Sequence, residues 1–144
     1  MALFGLRYDM RAPGYDAAGR QRLYGACLDQ VAWGEQAGFV SVLMSEHHGS
    51  DDGYLPSMSV LGAAMAARTS TMMISLSAAI VPLHDPIRLA EDLAVLDNLS
   101  GGRVEIGVGL GYAVHEFRGF GLPVSHRLSY TDEGLVLAAV RIRG

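Results

Sequence analysis

Residues 72–103 read MMISLSAAIVPLHDPIRLAEDLAVLDNLSGGR, an apolar segment rich in branched side chains that turns into a stretch with helical spacing. The apolar segment, residues 72–81, is expected to form a strand. Asp85 then supplies an N-cap with Pro86 at the first helical position, and the glycine pair at 101–102 ends the predicted helix. This order of strand, turn and helix is typical of a βα unit, with a helix face formed by Leu89, Leu93 and Leu96.

The same alternation occurs four times along the chain. All four strand segments are nearly continuous apolar runs, which favours a parallel sheet covered by helices. The fold class is therefore α/β, and right-handed crossovers allow either an open doubly wound sheet or part of a (β/α)₈ barrel. The pattern alone does not choose between them. Strands are predicted over residues 3–8, 39–44, 72–81 and 104–108, and helices over 17–37, 57–68 and 86–100 and from about 126 onward, after a loop over 117–123.

Composition and charge exclude several classes of protein. The chain has 144 residues, of which 50% are hydrophobic and 18% charged, as in one globular domain. Its longest largely apolar stretch, Met72 to Leu83, is shorter than the ~18 residues of a membrane helix, so no membrane partner is predicted. The net charge of −4 and the lack of a basic cluster predict no nucleic-acid partner. The N-terminus lacks an export leader and a single cysteine forms no internal disulfide, which predicts a cytoplasmic protein.

The residues just after each strand are the best candidates for a functional site, because parallel α/β folds place their sites at the carboxyl ends of the strands. The segment Glu46-His47-His48 follows the second predicted strand and carries the most reactive chemistry. Since alternate residues of an extended chain share a direction, Glu46 and His48 point one way and His47 the other. Only one histidine can therefore face a central pocket, where it could exchange a proton with a ligand.

Two alternatives stay open for these side chains. For His48, a hydrogen bond to a nearby loop carbonyl is the plainer interpretation. A metal site is the rival, but no H-x-x-x-H or C-x-x-C spacing supports it, and no metal is predicted. Its donors would come from Glu46, His47, His48, His84 and His115.

The glycines after the fourth strand do not form a dinucleotide fingerprint. In Gly107-Val108-Gly109-Leu110-Gly111-Tyr112, the G-x-G-x-x-G pattern would need glycine where Tyr112 stands, and no helical start signal follows. The glycines either form a floor on which a flat ligand lies against backbone, or serve packing alone.

Taken together, these segments resemble the bacterial luciferase-like family of flavin-dependent oxidoreductases. Order and spacing agree along the whole chain. The residues that carry the resemblance are Ser45-Glu46-His47-His48, Ala78-Ala79-Ile80-Val81, Pro86 to Leu93, Leu96 to Arg103, Gly107 to Tyr112, and Glu116-Phe117.

The resemblance implies a (β/α)₈ barrel that holds reduced FMN, or in some branches the deazaflavin coenzyme F-420, across the carboxyl ends of its strands. It implicates His47 as the catalytic residue, which hydrogen-bonds or exchanges a proton with the peroxyflavin or the substrate. It also implies a cis peptide under the flavin ring between Ala78 and Ala79. Luciferase has an arginine for the flavin phosphate where this chain has Leu110, and Arg127 is a substitute. The implied cofactor-binding residues are Glu46, Ala78, Ala79, Gly109, Tyr112 and Arg127.

A complete barrel of this kind needs ~250 residues, so residues 1–144 are interpreted as one domain, the N-terminal half of a barrel in a fragment or truncated product. The expected function is a monooxygenase that inserts one oxygen atom from O₂ into a small organic substrate, with reduced flavin from a separate reductase. A homo-oligomer or dimer is expected, because a half barrel leaves open edges. The alternatives are a deazaflavin-dependent hydride-transfer enzyme, suggested by Leu110, and a partner that does not bind flavin and contributes only an interface.

Overall fold

The sheet contains four parallel strands that pair side by side in chain order. The computed structural model describes residues 2–142. The strands are β1 (Gly5–Tyr8), β2 (Ser41–Met44), β3 (Met73–Ile80) and β4 (Val104–Gly109). A doubly wound sheet reverses its strand order at a switch point, whereas a barrel adds strands in sequence. The uninterrupted order therefore selects the second predicted architecture, part of a (β/α)₈ barrel.

Five helices connect or follow these strands. The three long crossover helices agree with the predicted segments to within two residues at either end. The structure has α1 (Ala17–Gln36), α2 (Met58–Ala66), α3 (Pro86–Ser100), α4 (Val114–Gly119) and α5 (Arg127–Ile142), with 3₁₀ turns at Val81–Leu83 and Val124–His126.

The ends of α3 lie where the sequence predicts them. Asp85 Oδ1 accepts hydrogen bonds from the amides of Ile87 at 3.0 Å and Arg88 at 2.9 Å, which caps the helix N-terminus. Gly101 adopts the left-handed conformation with φ 71°, and its amide bonds back to the last turn. These local signals confirm the βα unit from which the fold was predicted.

The predicted starts of two strands are wrong. β1 and β2 each begin two residues later than expected, because the apolar run in the sequence begins before the residues that pair. Before β1, for example, Leu3 and Phe4 are largely exposed. The segment after β4 was expected to be a loop, but it contains α4. The N-cap residue of α4, Ala113, makes no side-chain cap, and six residues are too few to show a helical period.

The hydrophobic core lies between the sheet and the crossover helices. Val42, Met44 and Ile74 project from β2 and β3 and are completely buried, as are Val31 of α1 and Met65 of α2. The edge strand β4 is less well covered, since Ile106 and Val108 remain 37% and 43% exposed. None of the helices in residues 2–142 has the length and apolar character needed to cross a bilayer.

Glu35, near the end of α1, binds the backbone of the three residues that precede β3. Its carboxylate accepts hydrogen bonds from the amides of Ser70, Thr71 and Met72 at 2.6–3.0 Å. Burial raises the pKa of this carboxyl, but the backbone hydrogen bonds outweigh that effect and lower the pKa from 4.5 to about 2. The ionised form is therefore favoured in the folded protein.

We expect Glu35→Gln to destabilise the protein by roughly 1 kcal/mol at pH 7, a solvent-screened value for bonds to a charged acceptor. Because the folded pKa lies below the unfolded one, this contribution is present above pH 4.5 and disappears as the pH falls towards 2. Urea unfolding of both proteins at pH 7 and pH 3 measures the difference. The exposed Glu91, changed to glutamine, is the control. A Glu35→Gln deficit that stayed constant from pH 7 to pH 3 would contradict the interpretation.

Candidate functional site

The carboxyl ends of β2, β3 and β4 form one rim that carries most of the predicted site residues. Glu46, His47 and His48 follow β2, while Ala78 and Ala79 lie in β3. Gly109 is the last residue of β4, and Tyr112 follows it three positions later. The parallel register brings together residues more than sixty positions apart in the chain.

His47 stands between two aromatic side chains. Its ring packs edge-on against Tyr54 at 4.7 Å and Tyr112 at 5.7 Å between ring centroids. Tyr54 is itself held by a 2.7 Å hydrogen bond between its hydroxyl and Ser45 Oγ. The His47 side chain is 25% exposed. It is therefore oriented by its neighbours and still accessible from the rim.

Glu116 determines which ring nitrogen of His47 is free. Its Oε1 lies 2.7 Å from His47 Nδ1 and accepts a second bond from the His48 amide at 2.8 Å. A carboxylate only accepts, so Nδ1 carries the proton and Nε2 keeps its lone pair in the neutral imidazole. The Glu116 side chain is fully buried, and its Oε2 has no hydrogen-bond partner among the described residues.

Glu46 joins the ends of β2 and β3. Its Oε1 lies 2.8 Å from His48 Nε2 and 2.7 Å from His84 Nε2, and its Oε2 accepts from the Ile80 amide at 2.8 Å. Burial raises the pKa of this carboxyl, but the bonds from the two imidazoles and the amide lower it to about 2. Glu46 and His48 share one direction, as predicted. The partner of His48 is this carboxylate and not the loop carbonyl that the sequence suggested.

The end of β3 contains a cis peptide and a bulge. The cis bond joins Ser77 to Ala78, one position before the Ala78–Ala79 bond that the resemblance implies. Ser77 pairs with Gly107 and Ala79 with Val108, which leaves Ala78 without a partner in β4. The implied position was therefore wrong by one residue.

The glycines of β4 make close contacts with β3. A Cβ atom on Gly109 would lie 3.0 Å from Ala78 Cβ, and one on Gly107 would lie 2.6 Å from Ser77 Oγ. At Gly111 the backbone has φ +68°, and a Cβ atom would lie 2.6 Å from Ile80. These glycines therefore serve packing. Their contacts also leave a ledge, formed by Ser77, Ala78, Gly107 and Gly109, on which only small side chains stand. Ala79, which the resemblance also implicated, is 1% exposed and packs in the hydrophobic core instead.

Arg127 and Leu110 lie beyond this ledge. Arg127 begins α5, is half-buried, and donates from Nη1 to the Val124 carbonyl at 3.1 Å. Its observed partner is thus the 3₁₀ turn before α5. Leu110 is 39% exposed just after β4.

Two site residues were not singled out by the sequence reasoning. Glu116 appeared only as part of the Glu116-Phe117 motif, and Tyr54 was not among the candidates. Glu116 lies in the short helix that the sequence did not reveal, 69 positions from the imidazole it binds. The one available signal was a charged residue directly before an aromatic one, and that pattern is common at surfaces.

Comparison with known proteins identifies what this arrangement is similar to. The sequence model of the luciferase-like monooxygenase family matches residues 10–138. The alkanal monooxygenase alpha chain of Photorhabdus laumondii is 31% identical over 98 residues, which is 68% of this chain and 27% of that protein.

Solved structures show the same architecture. The monooxygenase RslO1 from Streptomyces bottropensis superposes with a TM-score of 0.85 at 29% identity, covering 95% of this chain and 42% of that one. The FMN-bound oxygenating constituent of 3,6-diketocamphane monooxygenase from Pseudomonas putida gives 0.85 at 22% identity, over 96% and 39%.

A reductase with a different coenzyme is also similar. The coenzyme F-420-dependent tetrahydromethanopterin reductase from Methanopyrus kandleri gives a TM-score of 0.54 at 26% identity, covering 84% of this chain and 30% of that one. The chain thus spans less than half the length of each of these four proteins.

Proposed function

The chain belongs to the luciferase-like monooxygenase family, and we propose that it forms the N-terminal half of a barrel that oxidises a small organic substrate with O₂ and reduced FMN. The observation that carries this proposal is the partly exposed imidazole of His47, held at the carboxyl rim by the buried Glu116. Hydrogen-bonded imidazoles of this kind move protons to and from reacting groups.

The residues present fit the flat ring of a flavin. The ledge between β3 and β4 carries no side chain larger than serine or alanine, so a planar ring can lie against backbone there. His47 and the 76% exposed Tyr112 stand beside it. Ala78 and Gly109 would lie against the ring, while Glu46 would act from behind the rim by holding the strand ends together.

The flavin, when bound in reduced form by the complete protein, supplies the electrons that activate O₂. The residues of this chain would bind and orient the flavin and would move a proton. His47 Nε2 is the ring nitrogen left free by the bond to Glu116, so it is the atom that would accept or return a proton at the substrate. Tyr54 and Tyr112 pack edge-on with the imidazole and restrict its orientation.

The proposed enzyme also needs a contact for the flavin phosphate and a source of reduced flavin. Arg127 would bind the phosphate after exchanging its bond to Val124, and loops outside this chain would complete the site. Reduced flavin would come from a separate cytoplasmic reductase, and the open edges beside β1 and β4 would be covered by the rest of the barrel or by a second copy.

A deazaflavin-dependent hydride transfer is the second candidate. It is favoured by Leu110, which leaves an apolar side chain at the position of the phosphate-binding arginine of luciferase. The similarity to the F-420-dependent reductase supports it as well. In that reaction His47 would orient the substrate instead of exchanging a proton with it.

Titration with each cofactor distinguishes the two. We expect the complete protein to quench the fluorescence of FMN with an affinity in the micromolar range, about −8 kcal/mol, and to bind coenzyme F-420 at least tenfold more weakly. The 144-residue chain alone should bind FMN more weakly than the complete protein, because it lacks the remaining loops. Preference for F-420 would replace the first candidate by the second, and binding of neither would leave the chain as an interface partner.

A further inference from the structure

We propose that Glu46, His48 and His84 form a binding site for a divalent transition metal ion of the Zn²⁺ class. Their donor atoms, Glu46 Oε1 and the two Nε2 atoms, all lie within 4.8 Å of one another. The carboxylate oxygen stands between the imidazole nitrogens, at 2.8 Å from His48 and 2.7 Å from His84. The donor side chains are distinct from the His47–Glu116 pair, which they meet through the backbone amide of His48, and the site does not depend on the proposed function.

The donor set is one that such metals prefer. Two imidazoles and one carboxylate bind Zn²⁺ in several enzymes and leave a fourth position for water. In a tetrahedral site, metal–ligand bonds of about 2.0–2.2 Å place neighbouring ligand atoms roughly 3.3–3.6 Å apart, so Glu46 Oε1 must move about 0.5–0.9 Å farther from each imidazole nitrogen to admit an ion. The hydrogen that each imidazole now shares with Glu46 would move to Nδ1 or to solvent, since a ligating nitrogen must offer its lone pair.

The surroundings of Glu46 orient it as a ligand. The Ile80 amide holds Oε2 at 2.8 Å, which leaves Oε1 facing the imidazoles. Hydrogen bonds of this kind to ligating carboxylates are typical of metal sites. Phe120 packs edge-on against His48 at 4.9 Å between centroids and restrains that ring.

The site is enclosed on one side and open on the other. The Glu46 side chain is 1% exposed, whereas those of His48 and His84 are 14% and 29% exposed. An ion can therefore reach the donors past the imidazoles. A bound ion would link the loop after β2 to the turn after β3 and so brace the rim one residue away from His47.

No sequence motif reveals this donor set, which is why the spacing argued against a metal. Glu46 and His48 leave β2, while His84 follows the 3₁₀ turn beyond β3. The donors meet only because β2 and β3 are adjacent parallel strands.

The experiment is titration of the chain with Zn²⁺ by calorimetry and with Co²⁺ by visible absorption, together with thermal unfolding at each concentration. We expect one ion per chain at micromolar affinity and a rise in the unfolding temperature with added Zn²⁺. His84→Ala and Glu46→Gln should each weaken binding at least tenfold. His115→Ala, which changes an exposed histidine of α4 outside the cluster, should bind like the parent protein.

Circular dichroism shows whether each variant folds, and the titration of the parent protein decides the proposal even if one variant does not. Absence of binding by the folded parent chain at 100 times the expected concentration, roughly 100 µM, would overturn it. Undiminished binding by folded His84→Ala would overturn it too, because the ion would then be held by other surface groups. In either case the three side chains would form a hydrogen-bonded cluster that links the ends of β2 and β3 without a metal ion.

Discussion

Replacing His47 with alanine is expected to lower the turnover of the complete protein by about 10²–10⁴-fold, the usual contribution of a positioned proton donor or acceptor. Flavin affinity should stay nearly unchanged, because the ledge between β3 and β4 is untouched. The change removes the ring that lies 2.7 Å from Glu116 Oε1 and between Tyr54 and Tyr112. Steady-state turnover and FMN fluorescence quenching, measured on the same preparation, separate the two effects.

Two further variants make this test specific. His115→Ala removes an exposed histidine from α4 and should leave turnover unchanged. Glu116→Gln keeps an acceptor oxygen for Nδ1 but removes the charge, so it should lower kcat by less than His47→Ala and leave KM nearly unchanged. Unchanged turnover in His47→Ala would remove this imidazole from the mechanism and, with it, the main support for the proposed function.

Replacing Arg103 with methionine is expected to destabilise the fold by about 3 kcal/mol or more, because several buried acceptors would lose their donors at once. Arg103 is 9% exposed, and its guanidinium donates five hydrogen bonds at 2.6–3.2 Å, four to main-chain carbonyls and one to a threonine hydroxyl. The acceptors are the carbonyls of Ala66, Thr69, Met72 and Ser100 and the hydroxyl oxygen Thr69 Oγ1. Ala66 and Ser100 are the last residues of α2 and α3, where helix dipoles favour a cation.

Urea unfolding at neutral pH measures this loss. Arg88→Met is the matched control, since the Arg88 side chain is 73% exposed and pairs with Asp92 on the same helix, and it should change stability by no more than ~0.5 kcal/mol. Arg103→Lys keeps the charge but not the planar fork and should fall between the two. Equal unfolding midpoints for Arg103→Met and Arg88→Met would show that water replaces the lost donors.

Much of the fold could be predicted from local signals. Asp85, Pro86 and Gly101 determine the ends of α3 through capping and backbone conformation, which depend on a few neighbouring residues. The apolar strands indicated a parallel sheet for the same reason. The short helix α4 escaped prediction because it has no side-chain cap and too few residues for a period.

Only part of the candidate site could be predicted from such local signals. The position of His47 after β2 made it a candidate, since strand ends recur as sites in this architecture. Its contact with Glu116 and the contact between Glu46 and His84 depend on the order of the strands in the sheet, which cannot be read from residue spacing in the sequence.

The sequence by itself determined the α/β class, the helix ends and the chemical groups that follow each strand, because these depend on short-range periodicity and capping. Only the tertiary structure decided that the strands pair in the order β1 to β4, that Glu116 binds His47, and that Glu46 faces two imidazoles. The physical reason is that the bond between Glu46 and His84 joins residues 38 positions apart and that between His47 and Glu116 joins residues 69 positions apart, so both depend on packing of the whole sheet and its helices.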